Sequence, residues 1–224
     1  MRRMTLSNYI SNLVQLIDLS NLQDVLIRVA AVLLCLSVHE TCHGLAAYAL
    51  GDPTAKEQHR LSLNPIRHID PIGLIMMFVA GFGWAKPVPV DMRYFKNPKS
   101  GMAITALAGP VSNLLLAFAL LIPAGWMYGH AAGTDINVLI FRFLYSCAYM
   151  SVGLGVFNLI PIPPLDGSKI LAVILPDKAY MTLMRYEQYG FVIILAIAFF
   201  GVGQGFLASA IQAVFGWLSA LAGF

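Results

Sequence analysis

The chain has 224 residues, of which 58% are hydrophobic and 11% charged, with a mean hydropathy of +0.74 and a formal net charge of +3. That composition excludes an ordinary soluble domain, and a small positive charge spread through loops excludes a nucleic-acid interface. Three cysteines, Cys35, Cys42 and Cys147, all lie in apolar segments, which argues against a disulfide framework or a cysteine zinc knuckle and makes them small core residues.

The remaining class is an all-α polytopic membrane protein with about four to six transmembrane helices, a re-entrant segment and a short membrane-associated β element. Three stretches are expected: an interfacial N-terminal segment over 1–28, a catalytic membrane core over 29–188, and a transmembrane or hairpin segment over 189–224. Arg2 and Arg3 open the chain, but Asn8, Asn12, Gln15 and Asp18 interrupt any signal core, so no cleaved signal peptide is expected. Asp24 and Arg28 are spaced for an ion pair along a surface helix. A spanning helix is predicted from Val29 to Gly51, followed by a polar, turn-rich stretch from Asp52 to Asp70.

Ile72 to Ala85 is apolar but too short to span, and Gly73, Gly81 and Gly83 suit a re-entrant segment. In 86–91 the prolines preclude a helix, whereas Val88 and Val90 suit an extended edge strand able to take a substrate segment by strand addition. Spanning helices are predicted over Met102–Met127 and about Phe143–Ile160, then a proline break, a short helix over Ile170–Leu175 and a polar loop over Asp177–Gln188. Phe191–Gly203 and Phe206–Phe224 form a last apolar block cut by glycines, either a hairpin or one span with an interfacial helix. Lys56, Arg60, Arg67, Lys86, Arg93, Lys96 and Lys99 crowd 51–100, which places that region in the cytosol and the 129–137 loop outside.

Within the first spanning helix stand His39, Glu40, Thr41, Cys42 and His43. Residues four apart share a helix face, so the two histidines can grip one metal. Glu40 falls about 100° from His39 and about 60° from His43, within reach of a water on that metal but poorly placed as a third ligand, and so reads as the general base. A catalytic zinc needs one more protein ligand and an open position. Asp166, at the end of Asn158-Leu-Ile-Pro-Ile-Pro-Pro-Leu-Asp-Gly167, is the best candidate, since a carboxylate after an apolar segment is costly without a partner. The plain structural alternative is a pair of hydrogen-bonded core histidines beside a buried acid.

Taken with Arg60 to Gly73, Gly83 to Val90, Ala108-Gly-Pro110-Val-Ser-Asn113 and Asn158 to Gly167, the motif resembles the site-2 protease family of intramembrane zinc metalloproteases, in its minimal prokaryotic branch without PDZ or CBS domains. The resemblance covers about residues 29–175. It implies Zn2+ held by His39, His43 and Asp166, with Glu40 polarising the water. It also implies Asn158 steadying the substrate or the oxyanion, and the 86–90 strand, with Val88 and Val90, receiving the unwound substrate. Asn113 is either interhelical glue or a substrate-binding residue. His68 and Asp70 read as a turn cap, and His59 and His130 as loop residues.

The expected activity is endoproteolysis within a transmembrane segment of a single-pass membrane protein or peptide, as in regulated intramembrane proteolysis. The expected setting is a prokaryotic cytoplasmic membrane, with the site opening toward the cytosol. The partners are that substrate and the lipid bilayer, with no nucleic acid; the oligomeric state is not legible. Rivals are a non-catalytic membrane binder or metal transporter using the same site, and a family member that captures helices without cutting them. Asp135, Arg142 and His130 are the only ionisable residues of the Asp, Glu, Lys, Arg and His types between 102 and 160, which disfavours a transport path.

Overall fold

A computed structural model describes residues 22–73, 85–130, 134–171, 173–201 and 203–224. The first helix, α1 (Leu22–Ala49), is 28 residues long, about 42 Å. Its described residues begin seven before the predicted Val29, so Leu22 to Arg28 continue the same helix. Asp24 reaches across to Arg142 at 3.3 Å, an interhelical pair. The C-terminus closes in a Schellman motif: Gly51 takes φ +105°, its N–H donates to Tyr48, and the N–H of Asp52 donates to Ala47 at 2.9 Å.

Asp52 is fully buried and staples two segments. One carboxylate oxygen accepts the N–H and hydroxyl of Thr54, at the start of the single-turn α2 (Thr54–Glu57), and the other accepts the N–H of Asp91 at 2.7 Å. Asp52→Ala is therefore expected to raise hydrogen exchange of the Thr54 and Asp91 amides by about tenfold or more, because the backbone donors lose a charged acceptor. Unchanged exchange at Asp91 would show that the 86–91 segment is held by other contacts.

Two long helices follow, α3 (Pro98–His130) and α4 (Asp135–Asn158). With α1 they are the three helices long and apolar enough to cross a membrane among the described residues. They pack on one another, with Ala117 and Leu121 of α3 and Ala148 and Val152 of α4 fully buried in one apolar cluster, the two alanines letting those backbones come close. His130 is the last residue of α3, not a loop residue, and its ring stacks on Trp126.

After α4 comes the proline-rich turn and a short helix, α5 (Asp166–Leu171), four residues earlier than predicted. The stretch from Asp177 is not a polar loop. It forms the first half of α6 (Asp177–Phe200), because Lys178, Ala179, Leu183, Arg185 and Glu187 are good helix formers and polarity alone does not break a helix. Positive φ at Gly201 and Gly203 then ends α6 and separates it from α7 (Gln204–Leu221), a shorter apolar helix that lies on α3 and α4. Phe215 of α7 meets Tyr145 and Tyr149 edge-on, each at 5.2 Å.

The expected β element reduces to one isolated antiparallel bridge between Ile69 and Ala85 among the described residues. Pro87 and Pro89 remove two of the five donors in 86–90, and the segment is fastened by side chains in place of a ladder. Most of the expected re-entrant segment, residues 74–84, lies outside the described residues.

Candidate metal centre

Helix α1 presents His39 and His43 one turn apart, and their Nε2 atoms approach to 3.0 Å with the rings nearly perpendicular. Into that gap the turn after α4 brings Asp166, whose Oδ2 lies 3.1 Å from His39 Nε2 and 3.2 Å from His43 Nε2. All three side chains are buried. The placement of Asp166 depends on Gly167, since a Cβ there would sit 2.3 Å from the Leu159 carbonyl oxygen and 2.5 Å from that of Ile160. The fold thus joins the distant carboxylate to the histidine pair predicted from spacing.

Three donor atoms from two imidazoles and a carboxylate, all within 4.8 Å of one another, fit zinc in kind and in dimension. Ligand bonds of about 2.1 Å in a tetrahedron put neighbouring donors about 3.4 Å apart. Helix α5 lies outside the three candidate spans, and there burial pushes the Asp166 carboxyl up while the hydrogen bonds of His39 and His43 outweigh it and hold the group well below the usual carboxylate range. It is set up as an anion, the form that ligates.

Around this cluster the second layer is unequal. His43 donates its Nδ1–H to the carbonyl of Thr105 at 2.7 Å, which fixes its tautomer and aims Nε2 at Asp166. Nδ1 of His39 is buried and has no hydrogen-bond partner among the described residues. Gly109, one turn after Thr105 on α3, lies against both rings: a Cβ there would be 2.4 Å from His43 and 2.6 Å from His39.

Glu40 is half-buried beside the pair and accepts the Val88 N–H at 2.9 Å. Val88 therefore faces the site with its backbone. Its side chain is buried and packs toward Gly44 of α1, while Val90 is half-buried. The strap over Glu40 is fastened by Arg60, which donates to the carbonyls of Lys86 at 2.5 Å and Pro87 at 3.3 Å. Burial lowers the Arg60 guanidinium from its ordinary value and the Glu40 carboxylate opposes that shift.

Below the strap, Thr41 donates to Ser62 at 2.8 Å and the buried His68 ring contacts the same carbonyl at 2.6 Å. Asp70 caps the amides of Ile72 and Gly73 at 2.9 Å each, the expected turn. Arg60→Ala is expected to free the strap, seen as at least about tenfold faster exchange of the Val88 amide. An unaltered rate would mean that Glu40 alone holds Val88.

Asn158 stands at the end of α4, where its amide donates to Leu154 within the same helix at 2.9 Å. Asn113 is fully buried, and neither of its side-chain polar atoms has a hydrogen-bond partner among the described residues. Thr105, Gly109, Arg60 and Asp52 had no assigned role in the sequence reading. The available signals were the places of Gly109 and Arg60 in the motifs at Ala108–Asn113 and Arg60–Gly73 and the i, i+4 spacing of Thr105, Gly109 and Asn113.

Residues 27–201 match the profile of Peptidase family M50. The chain is 40% identical over 171 residues to "Putative zinc metalloprotease YwhC" of Bacillus subtilis (strain 168), covering 75% of this chain and 78% of that one. It is 29% identical over 176 residues to "Putative zinc metalloprotease Rip2" of Mycolicibacterium smegmatis, covering 75% of this chain and 65% of the relative. A shorter match, 36% over 83 residues, covers 37% of this chain and 22% of "Zinc metalloprotease MJ0392" of Methanocaldococcus jannaschii. No solved structure matches. With the profile spanning most of the chain, the protein belongs to peptidase family M50, the site-2 protease family.

Proposed function

We propose that the protein is an intramembrane zinc metalloprotease of the His-Glu-x-x-His type that hydrolyses a peptide bond within a transmembrane segment of a single-pass membrane protein. The observation that carries this reading is the meeting of Asp166 with His39 across 127 positions of sequence at 3.1 Å, on a helix suited to span a membrane. His39, His43 and Asp166 hold the zinc, which supplies Lewis acidity and makes water a nucleophile near neutral pH.

Glu40 takes a proton from the attacking water as its oxygen bonds to the scissile carbonyl carbon. It then returns that proton to the amide nitrogen as the C–N bond breaks, leaving a carboxylic acid and an amine, and passage of the acid's proton to the amine gives the carboxylate and the ammonium. Val88 N–H keeps Glu40 aimed at the water. The Arg60-held strap borders the site and belongs to the basic 51–100 region, which supports a site on the cytosolic side. Asn158 and the 86–90 segment are proposed to contact substrate. A non-catalytic membrane binder or metal transporter using the same site is not favoured, since the chain belongs to a peptidase family and one buried donor cluster stands among the described residues.

The test compares new protein termini in membranes carrying the wild type or Glu40→Ala. Termini inside transmembrane segments that occur only with the wild type support the reading, and identical sets of termini reject it. Asp166→Ala is expected to lower zinc affinity by about 100-fold or more, because one of three protein donors is lost. Unchanged zinc occupancy under chelator competition would remove Asp166 from the ligand set.

A further inference from the structure

We propose that Asn113 is the positioning residue of His39, its side-chain carbonyl accepting the His39 Nδ1–H across one buried water. This rests on the zinc reading above. The observation behind it is an asymmetry. His43 has an acceptor for its outer nitrogen, the Thr105 carbonyl at 2.7 Å, whereas His39 Nδ1 and both polar atoms of Asn113 are buried without a hydrogen-bond partner among the described residues.

The register brings these groups to one place. Helices α1 and α3 meet at Gly109, which touches both imidazoles. One turn before it Thr105 serves His43, and one turn after it, about 6 Å along the axis and on the same face, comes Asn113. Moving the same way along α1, from His43 to His39, leads to Cys35, whose Sγ donates to the Cys147 carbonyl of α4 at 3.4 Å. One turn on from Cys147, Ser151 donates to the Asn113 carbonyl at 2.8 Å.

Asn113 therefore lies against α4, through Ser151 and Gly155, one turn along α3 from the glycine that meets both imidazoles. A histidine that ligates through Nε2 carries its proton on Nδ1 and needs an acceptor there. An asparagine amide left without partners in a membrane core is costly, and one bridging water would satisfy both it and His39 Nδ1. Thr105, Gly109 and Asn113 thus form one ruler on α3 that sets both rings.

The test uses full-length protein in detergent, with zinc affinity by chelator competition and the visible spectrum of the cobalt(II) form. Asn113→Leu keeps the volume and loses the acceptor, and its zinc affinity is expected to fall about 10- to 100-fold with shifted cobalt bands. Asn113→Asp keeps an acceptor, and both readouts are expected to return to within about threefold of wild type. Wild-type affinity and spectrum in Asn113→Leu would overturn the proposal, as would equal loss in both variants, which would trace to packing against α4. Failure of the wild type itself to bind zinc would instead reject the metal reading.

Discussion

Glu40→Gln is expected to reduce peptide-bond hydrolysis by about 10²- to 10⁴-fold, the usual contribution of a positioned general base, while zinc stays at about one per chain. The substitution is nearly isosteric. Its remaining amide oxygen can still accept the Val88 N–H, now at 2.9 Å from Glu40 Oε2, so the strap keeps its anchor as well as its Arg60 contacts. The donor cluster is His39, His43 and Asp166 without Glu40, so metal content is not expected to follow the loss of rate. Cleavage of a purified single-pass segment, read by mass spectrometry beside elemental zinc analysis, separates the outcomes. Turnover above about a tenth of wild type would remove Glu40 as the base. Loss of zinc together with turnover would make Glu40 a ligand.

The histidine pair and Glu40 were legible because helix periodicity alone fixes which side chains share a face. Asp166 was legible for a different reason: a catalytic zinc needs a third protein ligand, and a carboxylate beside apolar sequence needs a partner. Asp24 and Arg28 were read as an ion pair along one helix surface, whereas Asp24 reaches across to Arg142 of α4, a partner that only packing reveals. The helical first half of α6 was missed because charge was read as loop. Val88 was expected to offer its backbone to a substrate strand, yet its N–H meets Glu40. Thr105 also acts through its backbone, and Gly109 through having no side chain at all. None of these three roles leaves a trace in residue chemistry; they exist only once α1, α3 and the strap are packed.

Gly109→Ala is the sharpest test of that packing. The added methyl would lie 2.4 Å from Cε1 and Nε2 of His43 and 2.6 Å from Cε1 of His39, distances that carbon contacts do not tolerate. Neither ring has room to yield: His43 is tied to Thr105 on the same helix, and both Nε2 atoms converge on Asp166. The strain must be relieved by moving α3 away from α1, at a cost of about 1–3 kcal/mol, and the 3.0–3.2 Å donor triangle widens with it. Zinc affinity is expected to fall by about 100-fold or more, and proteolysis with it. Gly153→Ala is the matched control in α4, since its Cβ would find nothing nearer than Ile211 at 3.9 Å, and it is expected to leave zinc and turnover unchanged. Wild-type zinc affinity in Gly109→Ala would mean that α3 does not press on the histidines, and the setting of both rings by one face of that helix would have to be abandoned.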